Sequence, residues 1–111
     1  MAMKLRALAV TSLTRSSASP ELPTFAESGY PGFEFTNWYG LLAPARAPAT
    51  IVRTLHLQTA RALALPDLRA KLADLGHEGI GSSPDEFAAF IKSEIRKWAK
   101  VIKESGIKLD Q

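Results

Sequence analysis

The sequence predicts an α/β fold with a long C-terminal amphipathic helix, and three observations carry that prediction. Residues 5–11 form a short apolar run, with Val10 and Thr11 at its end, suited to a buried strand. From Pro48 onward, apolar residues recur at helical spacing. A capped apolar stripe then runs from Ser83 to Gly106, long enough to cross a small domain.

The elements follow in order. The first strand gives way to a Ser-rich loop that ends in Pro20 and Pro23. Residues 23–28 fit a single helical turn stopped by Gly29, and Tyr30-Pro31-Gly32 is a turn signal. Residues 33–42 carry Phe33, Phe35, Trp38, Tyr39 and Leu42 with partial alternation, which favours a second strand. Pro48 suits the first position of a helix whose Ile51, Val52, Leu55, Thr59, Ala62 and Leu63 share one face. Pro66 opens a shorter helix with Leu68, Leu72 and Leu75 inward and Gly76 as its left-handed cap. Residues 78–81 fit a brief strand. Ser83-Pro84-Asp85-Glu86 is a capping box, the Ser hydroxyl serving the Glu86 N–H and the carboxylate returning to Ser83. The last helix places Phe87, Phe90, Ile91, Ile95, Trp98, Val101 and Ile102 in its stripe. Lys92, Glu94, Arg96, Lys97, Lys100 and Lys103 fall mostly outside it. Gly106 and Ile107 match a Schellman stop. At 1.5 Å per residue the helix measures about 33 Å.

Composition narrows the function. A chain of 111 residues holds one domain at most, and 46% apolar with 23% charged residues excludes full disorder and collagen-like repeats. Cysteine is absent, which removes disulfides, thiolate metal sites and Cys nucleophiles together. The net charge of +3 (14 basic less 11 acidic) lies in residues 1–20, through Lys4, Arg6 and Arg15. No basic face with interleaved aromatics follows, so nucleic acid is not expected as a partner. That basic, Ser-rich and acid-free start has the marks of an organelle transit peptide, while Arg6 interrupts any secretory apolar core; the strand reading competes with both.

Catalytic machinery is not visible. His56 falls on the polar side of its helix and His77 follows a cap glycine, neither with metal-ligand spacing to a second donor. No Gly-x-Ser-x-Gly elbow exists, and Gly79-Ile80-Gly81 is too short for a dinucleotide fingerprint. The expectation is a protein that is not an enzyme and carries no cofactor or metal. What stands out is residues 24–44, which hold Phe25, Tyr30, Phe33, Phe35, Trp38 and Tyr39 with Gly29, Gly32 and Gly40 between them. They fit either a core under a loop or a strand and loop bordering a ligand cleft.

Several segments together resemble one family. They are Leu5-Arg6-Ala7-Leu8-Ala9-Val10-Thr11-Ser12, Arg15, Pro20-Glu21-Leu22-Pro23-Thr24-Phe25-Ala26-Glu27-Ser28-Gly29, Pro31-Gly32-Phe33-Glu34 and Trp38-Tyr39-Gly40-Leu41-Leu42-Ala43-Pro44. In that order they resemble the Bug-type (TctC) solute receptors of tripartite tricarboxylate transporters. Pro66-Asp67-Leu68-Arg69, Ser83-Pro84-Asp85-Glu86-Phe87, Trp98 and Gly106-Ile107-Lys108 continue the likeness. It covers the whole chain but only the last third of a typical member. The resemblance implies a two-lobed periplasmic binding protein fold of the type II class, of which this is the C-terminal segment. Residues 1–42 would be the remnant of the second lobe with the interlobe crossing strand, and 43–111 the helical C-terminal part of the first lobe.

The same resemblance implies capture of a small organic carboxylate and its presentation to membrane permease subunits. Helix N-termini, backbone N–H groups and hydroxyls recognise such anions. Ligands of open α/β sheets lie beyond the carboxyl ends of strands, which nominates Thr11 and Ser12 as hydroxyl contacts. Thr24, Trp38 and Tyr39 would lie near the interlobe crossing. The family's export signal and early first-lobe segment have no counterpart here. The expectation is therefore a truncated receptor segment that does not bind alone and lacks its N-terminal part. It would be periplasmic by resemblance, and cytoplasmic if expressed as given. A small helical protein–protein interaction module without ligand is the alternative.

Overall fold

A computed structural model describes residues 4–108. Its regular elements are α1 (Ala49–Ala64), α2 (Pro66–Asp74) and α3 (Pro84–Ser105). Among the described residues no strand forms, and a single parallel bridge joins Val10 to Thr24. The three expected strands are corrected accordingly: residues 5–11 contribute one ladder rung, and 33–42 and 78–81 contribute none. A helix closes its hydrogen bonds within its own segment, whereas a strand exists only where a neighbour offers its backbone. Here the stretch around Thr24 pairs with Val10, and Phe35 adds only a single N–H to the Thr11 carbonyl.

The chain divides into two compact units. One comprises Met1–Leu42 with Ala73–His77, and the other Ala43–Leu72 with Glu78–Gln111. In the first, the Val10–Thr24 bridge is the centre, and residues 25–29 form the expected turn, with Gly29 at φ +110°. Phe25 gathers the ring of Tyr30 at 6.1 Å and that of Phe33 at 5.1 Å, and Tyr39 meets His77 edge-on at 5.5 Å. Gly76 adopts φ +76°, as its cap role requires.

In the second unit α1 packs against α3. Pro48 is the N-cap rather than the first helical residue, with Ala49 beginning the helix. The covered face of α1 runs through Val52, His56, Thr59, Ala60 and Leu63. This displaces the expected stripe: Ile51 and Leu55 are exposed, and His56 sits on the covered side. The backbone of residues 79–81 covers the C-terminal part of that face. A Cβ on Gly79 would come within 3.1 Å of Leu63 Cδ2, and Gly81, at φ +64°, lies against Ala60 and Leu63. The Gly79-Ile80-Gly81 sequence thus serves close approach to α1.

On α3, Ser83 caps by accepting the Glu86 N–H at 3.2 Å, and Gly106 closes the helix at φ +68°. The covered stripe is Phe87, Phe90, Ile91, Glu94, Lys97 and Trp98. Glu94 and Lys97, expected outside, are drawn in by Trp98: its Nε1 donates to Glu94 Oε2 at 2.6 Å, and Lys97 Nζ lies 5.3 Å from its ring centre. Ile95, Val101 and Ile102 are exposed instead, as is Leu75 after α2. No apolar side chain among the described residues is fully buried.

Candidate functional site

The site candidates all lie in the first unit, and its backbone hydrogen bonds determine where they fall. Val10 donates its N–H to Pro23 O at 2.9 Å and accepts the Phe25 N–H on its carbonyl at 3.0 Å. The next carbonyl, of Thr11, accepts the Phe35 N–H at 2.9 Å. Val10 and Thr11 are therefore held between two crossing segments, and Ser12 leaves the crossing at its carboxyl end. Thr11 and Ser12 are half-buried. The Ser12 hydroxyl donates to Thr14 O at 2.7 Å and keeps its acceptor lone pairs. Among the described residues the Thr11 hydroxyl has no hydrogen-bond partner.

Thr24 is 2% exposed, the one fully buried residue among those described. Its β-branched side chain suits the extended backbone that the bridge imposes. Its hydroxyl accepts the Glu27 N–H at 3.1 Å and lies 3.5 Å from Glu27 Oε2, while its carbonyl accepts the Ser28 hydroxyl at 2.7 Å. Thr24-Phe25-Ala26-Glu27 is thus a Thr-x-x-Glu cap built on one turn. The Thr24 hydroxyl is engaged by the protein itself.

Arg15 was not among the candidates, yet it organises the loop beside them. Its Nε donates to Glu27 Oε1 at 3.1 Å and Oε2 at 3.2 Å, its Nη2 also reaches Oε1, and its Nη1 donates to Pro20 O at 3.2 Å. Hydrogen bonding to Arg15 holds the Glu27 carboxyl below its usual range, with the Thr24 contacts adding to this, and hydrogen bonding to Glu27 raises Arg15. The sequence signal for this arrangement was the Thr-x-x-Glu spacing after Pro23, which marks a capped turn and so a fixed carboxylate.

The structure brings Thr11, Ser12 and Thr24 to one crossing. Trp38 and Tyr39 lie further along the chain and are exposed, Tyr39 at 84%. Elsewhere, a hollow of about 280 Å³ at the start of α2 is lined by Leu65, Pro66, Asp67, Leu68 and Lys71, and by none of the five candidates. Among the described residues no group of three His, Asp or Glu side chains could hold a metal ion.

Comparison with known proteins now decides the family. The family described as "Tripartite tricarboxylate transporter family receptor" (TctC) matches residues 1–107. The chain belongs to the TctC receptor family. It is 40% identical over its whole length to a Pseudomonas sp. (strain P51) protein described as "UPF0065 protein in tcbD-tcbE intergenic region", and covers 33% of it. It is 37% identical to "Protein BugT" of Bordetella pertussis (strain Tohama I) over 95% of this chain and 32% of that one. Two solved structures share its fold. Periplasmic binding protein BugD is 36% identical with a TM-score of 0.75, over 90% of this chain and 34% of that chain. The structure described as "R. palustris Rpa4515 with adipate" is 38% identical with a TM-score of 0.76, over 90% and 33%. This TctC chain thus spans about a third of those relatives, and its fold is that of a segment of a periplasmic binding protein. TctC is a receptor family and not an enzyme family. No helix among the described residues is long and apolar enough to cross a membrane.

Proposed function

We propose that this chain supplies part of the ligand cleft of a periplasmic solute receptor for a small organic carboxylate, which it presents to the permease of a tripartite tricarboxylate transporter. The observation that carries the reading is the Val10–Thr24 crossing. It is hydrogen-bonded on both sides of Val10, and it delivers Thr11 and Ser12 at the carboxyl end of an extended segment. Hydroxyls and backbone N–H groups in such a place suit an anion that must be held yet released. Thr11 and Ser12 are the direct contacts, Thr24 shapes the turn from its buried position, and Trp38 and Tyr39 wall the crossing. Residues 1–42 belong to the second lobe and the interlobe crossing, and 43–111 to the first lobe. Adipate in the Rpa4515 structure supports a dicarboxylate as the ligand class.

The chain alone does not hold a carboxylate usefully, because Trp38 and Tyr39 are exposed, Thr11 and Ser12 are only half-buried, and the remaining cleft walls lie in the N-terminal part of a receptor. Calorimetric titration with adipate and citrate tests this, on the chain alone and after mixing with the preceding segment of a relative such as BugT. Heat is expected only in the mixture, and Thr11→Ala or Ser12→Ala should weaken it. Micromolar binding by the chain alone overturns the shared-cleft reading.

A second reading has one observation in its favour. The exposed Ile95, Val101 and Ile102 on α3 would suit a small helical interaction module that carries no ligand. It predicts that the mixture gives no carboxylate heat under any condition.

A further inference from the structure

The contacts around the crossing close a ring. Val10 is fixed by its two backbone hydrogen bonds, one to Pro23 and one from Phe25. Thr24, between those two residues, holds Glu27 on its hydroxyl. Glu27 holds the Arg15 guanidinium, and from Arg15 the chain returns through Thr14, Ser12 and Thr11 to Val10. Residues 11–14 are thus a short span tied at both ends, at Val10 by the crossing and at Arg15 by the fork. Remove the fork and the Arg15 end is released, leaving the crossing at Val10, the Phe35 N–H on the Thr11 carbonyl and the Ser12 bond to Thr14.

From this ring we infer that Arg15 is the positioning residue for the Thr11 and Ser12 hydroxyls, acting through Glu27 and the Thr24 turn; the inference rests on the reading of those hydroxyls as ligand contacts. Three features of the geometry support it. Nε and Nη2 both face Glu27 while Nη1 takes Pro20 O, so one rigid plane fixes the loop against two partners. A lysine would supply the charge without the plane. Both side chains keep more than 40% exposure, at 47% and 41%, where solvent screens charge and an ion pair adds little stability. The pair's contribution is therefore direction rather than strength. Each guanidinium nitrogen already donates within the protein, to Glu27 or to Pro20 O, which assigns Arg15 to the loop rather than to the anion.

Nuclear magnetic resonance on the full 111-residue chain tests the inference. The parent is compared with Arg15→Lys, Glu27→Gln and the exchanged pair Arg15→Glu with Glu27→Arg. Hα–Hβ couplings report the side-chain rotamers of Thr11 and Ser12, and backbone order parameters report residues 11–14. Amide protection of Val10 and Phe25 reports the crossing itself. In the parent, order parameters near about 0.85 and a single rotamer at each hydroxyl residue are expected. Arg15→Lys and Glu27→Gln should lower residues 11–14 toward about 0.6 and average the couplings, with Val10 and Phe25 still protected. The exchanged pair should restore order. Unchanged couplings and order in Arg15→Lys overturn the inference, and so does simultaneous loss of protection at Val10 and Phe25, which would make Arg15 a general support. The ligand reading fails separately, if Thr11→Ala and Ser12→Ala leave the carboxylate heat of the reassembled receptor unchanged while the order parameters respond as stated.

Discussion

Thr24 offers a prediction whose magnitude can be built from its two ends. Its hydroxyl caps the turn at Glu27, and its methyl lies in the one fully buried position among the described residues. Losing a Thr cap costs about 1 kcal/mol, and losing a buried methyl about 0.8 kcal/mol. Thr24→Val removes the hydroxyl and keeps the shape, so about 1 kcal/mol is expected. Thr24→Ser keeps the hydroxyl and loses the methyl, for about 0.8 kcal/mol. Thr24→Ala loses both, and about 1.8 kcal/mol follows if the two terms add. Hydrogen exchange at the Phe25 and Val10 amides reads these costs as local opening. The opening constant should rise about fivefold for Val, about fourfold for Ser and about twentyfold for Ala. If Thr24→Val exchanges like the parent while Thr24→Ser exchanges like Ala, the hydroxyl is not the cap and the turn is held by packing.

Other measurements follow from the same contacts. Arg15 depresses the Glu27 carboxyl, so the stability it contributes is present above the ordinary glutamate range and is lost as pH falls through the lower folded value. Order in residues 11–22 should therefore decline in acid, and Glu27→Gln should abolish that pH dependence. Ser83→Ala removes one hydrogen bond at the start of α3, while Asp85 and Glu86 continue to favour the helix dipole. A loss of about 0.5–1 kcal/mol, seen as fraying of residues 84–87 by circular dichroism and exchange, is expected. Gly81→Ala meets Leu63 and Ala60 at ordinary contact distances but forces a side chain to φ +64°, so about 1 kcal/mol is expected from backbone strain alone. The exposed Leu5, Leu8, Ile95 and Ile102 should make the chain associate as its concentration rises. A sharp, concentration-independent melt of a sedimenting monomer would refute that expectation.

The helices were legible because their instructions are local. Pro66, Ser83 with Glu86, Gly76 and Gly106 each act within one turn of the boundary they set, and the structure places them there. The strands were not, because an apolar run such as residues 5–11 declares only a willingness to pair. Which face of α1 would be covered was also hidden. The C-terminal part of that face is covered by Gly79 and Gly81, far along the chain, whose missing side chains let the backbone meet Leu63 and Ala60. Glu94 was misplaced because a polar residue can enter a covered stripe once a neighbour supplies its hydrogen bond, as Trp98 does. Within the site, hydroxyl identity was visible and hydroxyl use was not. Ser12 was nominated as a hydroxyl contact and Thr24 for its place near the interlobe crossing; Thr24 is buried and engaged in a cap, while Ser12 keeps acceptor capacity near the surface.

That difference bears on how a cleft segment of this kind can work. Its parts divide into contacts that close within a few tens of residues and apolar faces that find no cover in the described residues. The first kind, the crossing, the Thr24 turn and the Arg15 fork, is complete. The second kind, the outer faces of α1 and α3, is not. A binding element organised by the first kind can have its hydroxyls oriented before the second kind is satisfied. The entropy of ordering residues 11–14 is then met by local bonds rather than drawn from ligand affinity. Joining the remaining cleft walls would add enclosure without having to reshape the Thr11–Ser12 corner. The corner's order parameters in the free chain should accordingly match those in the reassembled receptor.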